Sequence, residues 1–338
     1  MNIFFIGMGN MGQQRLSAVE KLQEKYNVNV IGFYDPFIDF ISFNNKKIYS
    51  IDNFSADYIV SNNIDFFIIG TPHNLIYSFI ETILLTELPL TIFVEKPLGV
   101  NFGEATKIKS LKQNNQNIYV GLNYRFYKGI SLLIQDVNAN KFGKINSLNI
   151  SMGHGHGSKF VNSWNIDKEK AGGGAVIDPG IHVINLMQLF SKSKIKLISS
   201  HLTRMNFWKT GIEEQCNLLF SSDSIPLIHI DVSIVKWRSN FNISIFGDDN
   251  YGIIDGRGSH YGDQVYRFGS RWAWETSQHS NQIDTEIIKS QSNEADVFEV
   301  ELENIFEHLN NKALEILPCE IDEALDSMEL ISKIYHNG

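Results

Sequence analysis

The chain has 338 residues, which fits two domains each able to bury a substantial core. Its composition, 43% hydrophobic and 20% charged with seven prolines, is that of a globular protein in water. A formal charge of -9 and the lack of a basic stripe exclude nucleic acid and an anionic membrane as expected partners, because both need clustered Lys and Arg. Cys216 and Cys319 stand far apart in sequence, which suits a reducing compartment and excludes a disulfide scaffold. The amino-terminal apolar run is too short for a signal peptide or a membrane span and has no basic flank, so the expected location is the cytoplasm.

Residues 2–6 (NIFFI) form a short apolar run without helical period, followed at once by GMGNMG and a helical pattern to about Lys25. Gly7, Gly9 and Gly12 match G-x-G-x-x-G, whose glycines allow a tight turn, the approach of a pyrophosphate and close packing of helix on strand. The phosphates would meet the helix amino terminus at Asn10 and Met11. A second apolar run, 28–34, ends in Asp35, where a carboxylate bonds the ribose hydroxyls; the alternative is a plain turn residue before Pro36. With Pro36, Phe37 and Ile38 following, no cation stands ready for a 2′-phosphate, which favours NAD over NADP.

Strands and helices go on alternating. Run 64–70 ends in Thr71, Pro72 and His73; run 91–94 ends in Glu95, Lys96 and Pro97; run 118–122 closes the series. Apolar strands separated by helices predict a doubly wound parallel sheet, with ligands beyond the carboxyl ends of its strands. Thr71, Pro72, His73, Glu95, Lys96 and Pro97 join the glycine turn and Asp35 as candidate cofactor contacts, and residues 1–122 form an expected NAD-binding Rossmann domain.

From Asn123 the pattern changes. An aromatic and basic segment, NYRFYKG, leads to a helix ending near Asn140, then to runs with period-two alternation at 145–152, 196–205, 213–222, 227–235 and 241–247. Ile228, Ile230, Val232 and Ile234 point one way, and His229, Asp231 and Ser233 the other. This predicts an α+β domain over 123–338 on a large, mostly antiparallel open-faced sheet, with two helices from 293 to 336. The semi-polar second face of such a sheet suits a homodimer or homotetramer interface.

Residues 171–186 read AGGGAVIDPGIHVINL. Three glycines permit sharp turns and close approach to a ligand, and a helix starting at Pro179 would take Asp178 as its cap, with His182 in the first turn. The helix dipole there favours a neutral imidazole, as a proton acceptor needs; capping and packing alone are the plainer alternative.

The glycine turn, Asp35, Glu95-Lys96-Pro97, the segment 123–126 and GGG with Asp178 and His182 occur in this order over most of the chain. Together they resemble the glucose-fructose oxidoreductase / inositol dehydrogenase / MocA family. The resemblance implies NAD-dependent hydride exchange with a sugar, cyclitol or nucleotide sugar, and a catalytic group of Lys96, Asp178 and His182. His182 would take the hydroxyl proton, Lys96 would stabilise the reacting oxygen, and Asp178 would orient His182 or a neighbouring hydroxyl. Asn123, Tyr124 and Arg125 fall where the family has a substrate-proximal segment, and Arg125 would suit a substrate phosphate or carboxylate. His154 and His156 either contact substrate or pack on the glycine loop; without acidic or cysteine partners they do not form an expected metal site. Trp164 fits core better than sugar stacking, and the segment 256–275 shapes either a pocket or an interface. The alternatives are an internal redox cycle enabling elimination, as in NAD-dependent glycosidases, and a non-enzymatic NAD or sugar sensor.

Overall fold

A computed structural model describes residues 1–155, 160, 163–270, 286–292 and 296–338. The chain folds as two compact units. The first comprises Met1–Asn123, Glu169–Gly172 and Asp296–Glu329; the second comprises Tyr124–Lys168, Gly173–Ala295 and Leu330–Gly338.

In the first unit, β1 (Asn2–Ile6) and β2 (Asn29–Tyr34) precede a hairpin, β3 (Phe40–Phe43) and β4 (Lys46–Tyr49), and then β5 (Phe66–Ile69), β6 (Thr91–Val94) and β7 (Asn117–Val120). Five of these form a parallel sheet in the order β2-β1-β5-β6-β7. Ile3 to Ile6 and Phe66 to Ile69 are wholly buried, as strands covered on both faces must be. The chain leaves β1 for β2 on one side and returns to β5 on the other, so the topological switch lies between Ile6 and Ile69, which are register partners. That is where a doubly wound sheet opens its ligand crevice.

The helix Val297–Leu309 packs on the helix Asn10–Tyr26, placing Leu302, Ile305 and Phe306 in one core with Val19 and Leu22. Of the 123–338 span assigned to the second domain, Glu169–Gly172 and Asp296–Glu329 therefore belong with the first unit. The two expected tail helices are present, as Val297–Leu309 and Ile321–Asn337.

The second unit holds β8 (Ile145–Gly155), β9 (Ile195–Thr203), β10 (Gln215–Ser222), β11 (Leu227–Ser233), β12 (Val235–Gly247), β13 (Asn250–Asp255), β14 (Gln264–Ser270) and β15 (Ile287–Ser292). They make one sheet in the order β15-β14-β13-β12-β8-β11-β10-β9, antiparallel except where β8 runs beside β11. Ile228, Ile230 and Val232 are buried as the alternation predicts. The run 227–235 is not one strand, however. It breaks at Ile234, because β12 lies on the far side of β8 and the chain must cross over. The helices Lys128–Asn138 and Gly180–Ser191 cover the apolar face.

Candidate active site

The glycine turn of the first unit is held by backbone. Gly7 N–H donates to Tyr34 O at 2.9 Å and Gly70 N–H to Ile6 O at 2.8 Å, fixing the tips of β1, β2 and β5 together. A Cβ on Gly12 would stand 2.2 Å from Gly7 O, so only glycine lets the helix sit this close to the turn. A Cβ on Gly9 would meet nothing within 4 Å, which is the open side a pyrophosphate needs. Gly9 caps the helix with no side chain, and the first helical bond runs from Gln13 N–H to Gly9 O. The amides of Asn10, Met11 and Gly12 thus have no intrahelical acceptor.

Asp35 bonds both its own turn and the glycine turn. Its Oδ1 accepts from Phe37 N–H at 2.9 Å, as a turn residue would, and its Oδ2 accepts from Met8 N–H at 2.7 Å, which brings the carboxylate onto the glycine turn. Each oxygen keeps a lone pair for a ribose hydroxyl. The hydroxyl of Thr71 is buried beside Gly7 with no hydrogen-bond partner among the described residues. Open glycine, exposed helix amides, a carboxylate at the tip of β2 and an orphaned hydroxyl together fit a dinucleotide.

Two residues grouped above with the cofactor contacts have other partners. His73 Nδ1 lies 2.8 Å from Ala171 O. Glu95 accepts from the buried Arg15 Nε at 2.7 Å, and Arg15 also pairs with Glu301 at 2.7 Å, between the rings of Phe93 and Phe298. Glu95 therefore anchors the loop that carries the half-buried Lys96.

In the second unit the glycine run packs against protein. A Cβ on Gly173 would stand 1.9 Å from the Tyr335 hydroxyl, and one on Gly174 would stand 2.1 Å from Glu213 O. Glu213 Oε1 accepts from Gly174 N–H at 2.8 Å, Val176 N–H at 3.1 Å and Tyr335 O–H at 2.7 Å. Close approach to a ligand is thus not the role of these two glycines; they admit the Glu213 clamp. The helix begins at Gly180 with Pro179 at the cap, so Asp178 stands one residue before the expected capping position.

His182 is buried in the first turn of that helix and stacks flat on Tyr124, with centroids 3.9 Å apart and planes at 6°. Stacking engages the ring face and fixes its plane, and the two nitrogens of an imidazole lie at the edge of that plane. The guanidinium of Arg257 lies 4.4 Å from the Tyr124 centroid, 4.3 Å from that of Tyr261 and 5.1 Å from that of Tyr127, and its Nη1 donates to the Tyr127 hydroxyl at 2.8 Å. Burial pushes the Tyr261 phenol up to about 12 against the pull of Arg257, and pushes Tyr124 higher still, with Asp178 among the charges raising both. Both phenols stay protonated and act as hydrogen-bond groups, not as bases. His154 meets this cluster edge-on, 6.3 Å from Tyr261 and 6.5 Å from His260.

A family model described as "Oxidoreductase family, NAD-binding Rossmann fold" matches residues 1–124, and one described as "GFO/IDH/MocA C-terminal domain" matches residues 132–251. The chain belongs to the GFO/IDH/MocA family of oxidoreductases. Its first unit is accordingly an NAD-binding domain. The fold is shared with UDP-N-acetylglucosamine 3-dehydrogenase from Acidithiobacillus ferrooxidans, at 14% identity and TM-score 0.74 over 99% of this chain and 96% of that one. It is shared also with the WlbA dehydrogenase of Bordetella pertussis in complex with NADH and UDP-GlcNAcA, at 12% and 0.76 over 100% and 96%. A third likeness is aldose-aldose oxidoreductase from Caulobacter crescentus, at 16% and 0.77 over 100% and 97%. No curated protein matches in sequence.

The structure brings Tyr124, His154, Asp178 and His182 of this family member into one cluster of the second unit. Arg125 is turned away: it is 1% exposed and donates to Asn185 Oδ1 at 2.7 Å, a core pairing that does not suit a substrate anion. Asn123 is buried at the end of the first unit, and Trp164 is half-buried. His156, Arg271 and the two tryptophans of the 256–275 segment lie outside the described residues. Glu213 carries no signal in the sequence as a site residue, whereas Arg257 and Tyr261 belong to the segment 256–275, expected to shape a pocket or an interface. The signal for Arg257 and Tyr261 is the set of glycines 256, 258 and 262, all at positive φ, which closes a small loop through Gly258 N–H to Gly262 O at 2.7 Å. Among the described residues no helix is long and apolar enough to cross a membrane.

Proposed function

We propose that this oxidoreductase transfers hydride between NAD and a secondary alcohol or ketone of a sugar, cyclitol or nucleotide sugar. The observation that carries the reading is His182, buried on the first helical turn and held flat on Tyr124, which fixes the plane that contains its ring nitrogens. Oxidising a secondary alcohol takes a proton from oxygen while hydride leaves carbon, and the nicotinamide, when bound, supplies the hydride acceptor or donor. His182 takes the proton at a ring-edge nitrogen, or returns it in the reductive direction. Lys96 donates a hydrogen bond to the reacting oxygen and stabilises the charge that develops on it. Asp178 orients His182 or a substrate hydroxyl, while Tyr124 and His154 face the sugar. The glycine turn with Asp35, and the lack of a cation at 36–38, support NAD over NADP.

A cytoplasmic homodimer or homotetramer is part of this reading. Its interface is the polar face of the large sheet, where Ser151, Asp231, Lys236 and Asn240 form a hydrogen-bonded network beside the exposed Trp237. Light scattering that finds only a monomer overturns that element. The function itself is tested by nicotinamide absorbance with NAD or NADP against cyclitols, free sugars and nucleotide sugars. NADH formed with one class supports the reading; bound NAD with silence across the panel points instead to an internal redox cycle or a sensor.

A further inference from the structure

The GFO/IDH/MocA assignment leaves Arg257 without a task, and its surroundings are unusual for an arginine. The protein is acidic, yet the charges and dipoles this half-buried guanidinium feels most are the phenols of Tyr124, Tyr127 and Tyr261, and among the described residues no carboxylate forms an ion pair with it. Its Nε–H is buried with no hydrogen-bond partner among them. A half-buried cation whose hydrogen-bonding neighbours among the described residues are neutral hydroxyls keeps its full charge and has donors to spare. Three tyrosine rings within 4.3 to 5.1 Å pin the plane of the guanidinium. The self-closed glycine loop pins its backbone. The group is held for planar, two-pronged recognition of an oxyanion.

Arg257 and His182 both rest against the ring of Tyr124. Arg257 and the imidazole therefore share one aromatic neighbour, within 4.4 Å and 3.9 Å of its centroid, and belong to one cluster. We propose that Arg257 is the anion-recognising residue of the substrate site, and that the sugar carries a carboxylate or phosphoryl group seated on its guanidinium edge. This rests on the function proposed above, and it narrows the substrate from any sugar to an acidic one.

The test is calorimetric binding of two matched probe pairs to the NADH-loaded protein. UDP-N-acetylglucosamine and its 6-carboxylate differ by a carboxylate, and N-acetylglucosamine and its 1-phosphate differ by a phosphoryl group. In the wild type the member of at least one pair that carries the added carboxylate or phosphoryl group binds tenfold or more tighter than the member lacking it, and the pair that responds tells carboxylate from phosphate. Arg257→Met abolishes the preference and Arg257→Lys reduces it, since an ammonium keeps the charge but lacks the planar donors. Equal binding of both members of both pairs, or a preference undiminished in Arg257→Lys, overturns the assignment. Nicotinamide absorbance on the same probes separates the two claims. Turnover of both members of each pair without discrimination overturns the anion site alone, whereas Arg257-dependent binding without turnover overturns the proposed function alone.

Discussion

The glycine turn at residues 7–12 works through backbone, and the cluster around His182 works through side chains. In the first, space is made by omitting Cβ atoms, and ligand donors are the free amides of one helix end within six consecutive residues. In the second, Tyr124, His154, His182 and Arg257 come from four separate stretches of chain and are held by stacking and cation–π contacts. A site made by omission tolerates no addition; a site made of side chains fails by subtraction. The two should therefore respond to mutation in opposite ways.

The largest effect is expected from the two side chains assigned to the chemistry. His182→Ala and Lys96→Ala should each lower turnover by roughly 10²- to 10⁴-fold, the usual loss when a proton-transfer or charge-stabilising group is removed. Steady-state rates on the substrate identified by the panel check this, and near-normal rates in either variant would remove that residue from the mechanism.

Next in size is the Glu213 clamp on the glycine run. Glu213→Ala leaves the Gly174 and Val176 amides and the Tyr335 hydroxyl without their acceptor, at a cost of about 1–3 kcal/mol for each group left unpaired in the interior. Glu213→Gln keeps a carbonyl oxygen at the same place and should recover most of the loss in a urea titration. An alanine variant as stable as the wild type would show that Glu213 does not hold the loop.

A smaller, pH-dependent effect is expected far from the chemistry, at Asp136 under the sheet. Burial alone would raise its carboxyl, but hydrogen bonds from Lys141, Lys289 and Tyr266 outweigh burial and hold it below the ordinary carboxylate value. The folded state then binds the proton less readily than the unfolded chain, so this contribution is present above the carboxylate range and lost as pH falls through the depressed folded value. Asp136→Asn should cost about 1–3 kcal/mol at neutral pH. The gap to the wild type should close in acid, and a gap that widens on acidification would reverse the sign.

The same contrast decides what was legible in the sequence. The turn, Asp35 and the parallel strands could be read because their constraints are local: a glycine must stand at position 12 whatever surrounds it, and strands buried on both faces must be apolar throughout. The hairpin Phe40–Phe43/Lys46–Tyr49 was passed over although Asn44 and Asn45, both in the left-handed region, are a readable turn signal. Arg125 and Arg257 could not be told apart by sequence. Only the fold buries one against Asn185 and cages the other among tyrosines, and only the fold returns Val297–Leu309 to the first unit, where Arg15 awaits Glu301. The GGG run was legible as a constraint but not as to its partner, because Glu213 and Tyr335 are distant in sequence.

The division of labour between the halves is tested most directly by titrating NADH, read by its fluorescence, into the wild type, Gly12→Ala and His182→Ala side by side. A Cβ at position 12 meets the Gly7 carbonyl at 2.2 Å, and overpacking of this kind costs about 1–3 kcal/mol, or up to about a hundredfold in affinity. The account predicts that Gly12→Ala loses NADH binding while His182→Ala binds as the wild type does. Unimpaired binding by Gly12→Ala, or loss of binding in His182→Ala, would contradict it.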